Sequence, residues 1–301
     1  MPNLQDLKLR ISSVKSTQKI TSAMKMVAAA KLRKAQEQAE ASRPYAVRME
    51  RMLGSLASAA GKMPGASPLL AGTGKDDVHL LVVATADRGL CGGFNTSIAK
   101  AARLKADELL RDGKEIKILC IGRKGRDLLR RDYGAQIVDT IEDIAKPELS
   151  FDKAAAVSDR ILQMFKDGEF DACTVFYSQF QSAISQIPTA QQLIPFEATA
   201  GDSSEGDDAS ASGLSAGQVY DYEPSDVKIL SDLLPRNISV QIFKAMLENN
   251  ASEQGARMSA MDNATRNAGE MIDRLSIQYN RTRQAIITNE LIEIISAKEA
   301  L

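Results

Sequence analysis

Apolar residues recur at heptad spacing almost from the first residue, at Leu4, Leu7, Ile11 and Val14, and continue as a shifted stripe through Ile20, Met24 and Val27. The pattern predicts one long amphipathic helix over 1–60, with a kink at Pro44 and an end at Gly61, Pro64, Gly65 and Pro68. A different texture follows. VHLLVVAT (Val78 to Thr85), IKILCIG (Ile116 to Gly122), AQIVDT (Ala135 to Thr140) and ACTVFYS (Ala172 to Ser178) read as strands separated by helical segments. Such alternation predicts an α/β domain over 76–200 with a mainly parallel sheet, to which SQIPTAQQLIPF (Ser185 to Phe196) adds one more strand. The stretch 201–217, GDSSEGDDASASGLSAG, is poor in bulky apolar residues and reads as a mobile acidic loop.

The helical period returns after Pro235 and defines a C-terminal helix over 236–301. Met258, Met261, Ala268, Ile272, Leu275, Tyr279 and Ile286 fall at alternating spacings of three and four. At 1.5 Å per residue, Asn237 to Lys298 spans roughly 90 Å as one helix, far more than the α/β domain it leaves. The two terminal helices therefore flank a globular middle, and their stripes invite them to wind together as an antiparallel coiled coil. The last fifteen residues, ITNELIEIISAKEAL, pose a separate problem. Chain ends usually fray in water, yet this one carries Ile287, Leu291, Ile292, Ile294, Ile295 and Leu301.

Composition narrows the chemistry. The 301 residues are 44% hydrophobic, which is enough for a core, and aromatics are scarce at 5% with no Trp while Ala, Met, Lys, Arg and Glu are frequent, which favours long helices. A net charge of -1 gives the whole molecule no pull toward nucleic acid or anionic membrane, so any basic patch is local. Cys91, Cys120 and Cys173 lie too far apart for a zinc knuckle or a CxxC pair and read as reduced thiols of a cytosol-like compartment. No secretory signal opens the chain, and no apolar run approaches the ~18–20 residues of a membrane span.

TADRGLCGGFN (Thr85 to Asn95) follows a buried strand and precedes a helix, a place where glycines can cradle a phosphate, but it lacks the G-x-G-x-x-G order and a Walker lysine. LLAGTGKDD (Leu69 to Asp77) has Leu69 where a P-loop needs its first glycine and Asp76 where it needs Ser or Thr; CIGRKGRD (Cys120 to Asp127) is a common strand-to-helix connection. His79, the single histidine, sits in a strand away from any Ser or Cys motif, which excludes a His-based triad and a multi-histidine metal site. The N-terminal helix sets Lys8, Arg10, Lys15, Lys19, Lys25, Lys31, Arg33 and Lys34 against Asp6 alone, which points to an acidic partner that charge does not identify. Two alternatives stay open on the residues alone: an enzyme binding a nucleotide at Thr85 to Asn95, and a coiled-coil adaptor whose basic helix holds nucleic acid or membrane.

Three stretches together, ITSAMKMVAAAKLRKA (Ile20 to Ala35), DRGLCGGFN (Asp87 to Asn95) and ASEQGARMSAMDNAT through RQAIITNELIEIISAKEAL (Ala251 to Leu301), resemble the gamma-subunit family of F-type ATP synthases, end to end. The resemblance implies a central-stalk rotor, an antiparallel coiled coil beside a Rossmann-like α/β domain. It implies no catalytic group, metal or cofactor in this chain, with ATP, ADP and Mg held by partner subunits and no nucleic acid bound. The implied partners are the alpha and beta subunits of the catalytic hexamer, an epsilon-type subunit and the membrane c ring. The implied place is the cytoplasmic face of a bacterial inner membrane. Arg283 and Gln284 match positions that hydrogen-bond a beta-subunit catch loop; Arg257, Thr288 and Glu290 match coupling residues; Met24 and Lys25 match the meeting with an acidic loop of beta. Ile287, Leu291, Ile294, Ile295 and Leu301 would form an apolar bearing, and Tyr222 and Glu223 match a foot segment near the c ring. The loop 201–217 departs from the family and lacks the cysteine pair of the chloroplast form.

Overall fold

A computed structural model describes residues 4–60, 67–146, 148–196 and 226–299. Among the described residues eleven elements follow one another: α1 (Leu4–Ala60), α2 (Pro68–Ala71), β1 (Val78–Ala84), α3 (Phe94–Arg111), β2 (Glu115–Ile121), α4 (Arg123–Tyr133), β3 (Ile137–Ile141), α5 (Phe151–Lys166), β4 (Ala172–Phe180), β5 (Gln186–Ile194) and α6 (Asp226–Glu299). The segment 201–217, expected as a mobile loop, lies outside the described residues.

The sheet has the order β3-β2-β1-β4-β5, with β5 antiparallel to β4 and the other pairs parallel. Alternate residues of β1 explain why its sequence is apolar throughout. Leu81 and Val83 face α3 and α4, while Leu80, Val82 and Ala84 face α5 and α6, so both sides of the strand are covered. β5, at the edge, returns to a mixed polar and apolar pattern. Helices α3 and α5 end by the same device. Gly113 (φ 76) and Gly168 (φ 71) adopt the left-handed region, and the two N–H groups that follow each helix close back on it: Lys114 to Leu109 and Gly113 to Leu110, Glu169 to Met164 and Gly168 to Phe165.

The terminal helices are longer than the domain between them. α6 has 74 residues, about 110 Å of helix, and α1 has 57. α6 is described from Asp226, ahead of the start expected after Pro235. The proline sits inside the helix, where its missing N–H removes one bond of the helical ladder, and the helix continues through it, Ser239 Oγ donating to the Pro235 carbonyl at 3.2 Å. Likewise α1 continues through Pro44.

Lys25 Nζ meets Asp262 Oδ1 at 2.6 Å, Thr265 Oγ1 meets Thr21 Oγ1 at 2.8 Å, and Leu32 and Ala35 pack on Ala251. The pairing is antiparallel. Along α6 the expected stripe faces the seam as far as Tyr279, with Met261 and Ala268 buried and Met258, Ile272, Leu275 and Tyr279 half-buried; Ile286, also half-buried, lies past the start of α1. Along α1 the expected shift at Ile20 does not occur. Ile20 is 59% exposed and Val27 57%, and the seam runs on in strict three-four spacing through Gln18, Thr21, Lys25, Ala28, Leu32, Ala35 and Ala39. The shifted stripe is therefore corrected: three polar residues hold the seam positions, each matched by a polar or small partner on α6, while Ile20 and Val27 beside them face outward and Met24 is half-buried.

α6 also crosses the carboxyl ends of β1 and β4, where the strand order reverses and where open α/β sheets place ligands. Ser178 of β4 donates its N–H to Asn249 Oδ1 at 3.1 Å, and Ser252 Oγ donates to the Ser178 carbonyl at 2.9 Å. One turn further, Arg257 pairs with Glu253 at 2.6 Å and reaches the Gly89 carbonyl at 3.4 Å. Burial raises the Glu253 carboxyl above its ordinary value of 4.5, against the opposing pull of Arg257.

Two outcomes follow from this packing. At Gly122 (φ 93) an added Cβ would stand 2.2 Å from the Thr85 carbonyl oxygen, so Gly122→Ala is expected to cost on the order of 3 kcal/mol in urea unfolding. From pH 4.5 up to the raised value of Glu253, the folded chain holds a proton that the unfolded chain releases, so this group makes stability fall as pH rises through that window. Glu253→Gln is expected to remove that slope in unfolding midpoints measured from pH 4.5 to 7.

Candidate functional site

The loop Thr85 to Asn95 bonds chiefly to its own chain. Asn95 Oδ1 accepts the Ala86 N–H at 2.9 Å, and Leu90 turns the loop in the left-handed region at φ 64. Asp87 accepts the N–H of Arg123 at 3.1 Å through one oxygen and that of Asp143 at 3.0 Å through the other. The first of these lies at the start of α4, so the chain's own carboxylate occupies the place where a phosphate would dock. Thr85 Oγ1 accepts the Gly125 N–H at 2.7 Å, which closes the same turn from below.

The crevice itself is filled by α6. The space left between Thr85, Asp87, Gly122, Asn249 and Glu253 is about 40 Å³, against roughly 300–1,000 Å³ for a small-molecule pocket. A more open cleft of about 280 Å³ lies between the start of α3 and α6. Two of its lining hydroxyls are engaged within the chain, Ser97 with the Gly93 carbonyl and Ser259 with the Ala183 carbonyl. LLAGTGKDD is likewise structural. Thr73 donates to Asp171 at 2.6 Å, the N–H groups of Asp77 and Val78 bond the second Asp171 oxygen, and Asp76 binds Lys114 and stands 2.9 Å from His79 Nε2. These bonds hold the Asp171 carboxyl below the usual carboxylate range, with Thr73 as the largest cause.

The remaining candidates lie along the shaft. Met24 is half-buried beside the seam, and Lys25 is paired within the chain to Asp262, whose carboxyl it holds low. Two more basic residues of α1 find acids in the chain, Lys34 with Glu148 at 3.0 Å and Arg33 with Glu37 at 3.2 Å. Lys8, Arg10, Lys15 and Lys19 stand exposed. Arg257 is set apart from the tip residues. It lies at the α/β domain in its ion pair with Glu253, largely shielded from solvent.

The tip follows from the register. Opposed residue numbers add to about 286 (Thr21 with Thr265, Lys25 with Asp262), which brings Leu4 level with Thr282. Residues 283–299 therefore run past the start of α1 as a single helix about 25 Å long. Arg283, Gln284, Thr288 and Glu290 are exposed there, with Thr288 Oγ1 bonded only to the Gln284 carbonyl of its own helix at 2.9 Å. Ile287, Leu291, Ile292, Ile294 and Ile295 are exposed as well, Ile294 to 66%. Leu301, Tyr222 and Glu223 lie outside the described residues. Sequence reading missed Gln18, Thr21, Asn249, Ser252 and Glu253. The first two were detectable by extending the three-four spacing without asking for apolar residues.

Known proteins give this shape a family. The family model described as ATP synthase matches residues 3–301. The chain is 60% identical to the ATP synthase gamma chain of Allorhizobium ampelinum over the whole of both sequences. It is 25% identical to a chain of the central stalk and c ring of the Tetrahymena thermophila mitochondrial ATP synthase, with TM-score 0.58 over 81% of this chain and 99% of that one. A chain of the OSCP/F1/c-ring assembly of the Euglena gracilis mitochondrial enzyme has the same fold at 20% identity, with TM-score 0.67 over 99% of this chain and 94% of that one. A continuous helical shaft, an α/β foot whose ligand crevice is closed by that shaft, and similarity over the full length identify this chain as a member of the ATP synthase gamma-chain family.

Proposed function

We propose that this chain is the rotating central shaft of an ATP synthase. Its foot is turned by the membrane c ring, and its tip turns inside the hexamer of alpha and beta subunits, whose catalytic sites it drives through open and closed states. The observation that carries this reading is the bare end of α6. A run of exposed Leu and Ile along a helix of this length, left uncovered by the other described residues, marks a surface that a partner buries.

A sleeve of apolar side chains suits a turning partner. Hydrophobic contact is non-directional and persists as the angle changes, whereas a ring of charge-assisted hydrogen bonds would hold the shaft at fixed angles. The tip's polar residues, Arg283 and Gln284 just ahead of the apolar end and Thr288 and Glu290 interleaved with it, supply the directional contacts to one beta subunit at a time. The shaft then acts by differential contact: each beta subunit is biased according to the side of the asymmetric coiled coil it meets.

On this reading the chain contributes no catalytic group, and ATP, ADP and Mg bind in the alpha and beta subunits. Among the described residues no helix is long and apolar enough to cross a membrane. The chain works peripherally, at the cytoplasmic face of a bacterial inner membrane, with an epsilon-type subunit beside its foot. Met24 and the basic residues of α1 face an acidic loop of beta, and Tyr222 and Glu223 contact the c ring.

Deleting Glu290 to Leu301 removes apolar contacts on the order of 1 kcal/mol for each of the exposed Leu and Ile side chains. The expected result is loss of assembled complex or of proton-driven ATP synthesis, with unchanged circular dichroism and unfolding of the α/β domain. Full assembly together with wild-type synthesis would contradict the tip's role as a bearing.

A further inference from the structure

The joint between foot and shaft is built on one residue of the sheet. β1 pairs with β4 only as far as Val83 opposite Phe176, two residues short of Ser178. On its other side β4 stays paired with β5, Ser178 opposite Pro188 and Phe180 opposite Gln186, but both backbone groups of Ser178 point away from β5. The backbone of Ser178 thus faces the side where β4 outruns β1, and α6 supplies the partners there. Asn249 accepts its N–H and Ser252 donates to its carbonyl.

These two side chains are three residues apart, on one face of α6, so they grip a single peptide position from consecutive points along one turn. Ser178, Asn249 and Ser252 are all buried, Ser252 completely. At such burial an unmade bond costs much of the desolvation of its partner. The surrounding contacts are of another kind. Met246, Leu247 and Ala256 pack on the sheet as apolar surfaces, which resist separation but not sliding.

We propose that Asn249 and Ser252 are positioning residues for energy coupling. By holding both backbone groups of Ser178 they fix the rotational setting of α6 against the sheet, so that torque on the foot turns the shaft without slip at this joint. The inference rests on the reading of the chain as a rotor. Arg257 and Glu253, hooked to the Gly89 carbonyl one turn away, extend the same joint to the β1–α3 loop.

The test uses the assembled complex in inverted membrane vesicles carrying Asn249→Leu with Ser252→Ala. Three quantities are measured: assembled complex by immunoblot, ATP hydrolysis per complex, and proton uptake per ATP hydrolysed. The expected result is hydrolysis per complex retained and proton uptake per ATP lowered. Asn249→Asp, which keeps an acceptor oxygen, is expected to restore the ratio relative to Asn249→Leu alone. A merely structural role would lower the amount of complex and leave the ratio unchanged, and that outcome overturns the proposal. If the double variant does not assemble, Ser252→Ala alone is measured in the same way, and an unchanged ratio there also overturns it. Should the wild-type complex show hydrolysis without any proton uptake, the rotor reading itself fails, an outcome separate from failure of the joint.

Discussion

The antiparallel register between α1 and α6 is the constraint on which the rest depends. It is set by polar layers, Thr21 with Thr265 and Lys25 with Asp262, flanked by close packing of Leu32 and Ala35 on Ala251. Apolar seams tolerate slippage by a turn, whereas a buried or half-buried polar pair is satisfied in one alignment only. With that alignment fixed, the unequal lengths of the helices leave a single outcome. α6 must overhang α1 by about four to five turns. The uncovered tip is thus a consequence of register, and the apolar sequence placed there turns an overhang into an interface.

The same helix explains why a Rossmann-like order of strands carries no open nucleotide crevice. α6 lies across the switch point of the sheet, with Asn249, Ser252 and Glu253 in the space where such folds receive a ligand, while Asp87 fills the start of α4. Fold and function separate here in a specific way. The crevice has become a socket, and what it holds is the protein's own shaft. Foot and shaft are joined by bonds to the sheet as well as by the chain itself.

Much of this was legible in the sequence where burial is symmetrical. β1 reads as a continuous apolar run because helices cover both of its faces, and Met258 to Tyr279 read as a seam because those positions lie alongside α1. The middle of α1 was illegible for the opposite reason. Gln18, Thr21 and Lys25 occupy seam positions with polar side chains, and Ile20 and Val27, exposed beside them, mimic a shifted stripe. Pro235 concealed the start of α6, since proline marks a break unless neighbouring packing sustains the helix. The grip of Asn249 and Ser252 on Ser178 joins residues more than seventy positions apart, and no local pattern announces it. The roles of individual tip residues came from the family resemblance, because exposure alone does not distinguish a contact from a solvated surface.

The central claim is that this chain turns as one body while the catalytic subunits around it stand still. Cys91, Cys120 and Cys173 are all buried, so a probe on Lys166→Cys at the exposed end of α5 labels the foot selectively. The decisive measurement is optical tracking of that probe on single complexes immobilised by the hexamer and supplied with ATP. Rotation of the foot in one direction, in step with hydrolysis, is the predicted result. Sustained hydrolysis with a stationary or randomly fluctuating foot would contradict the account.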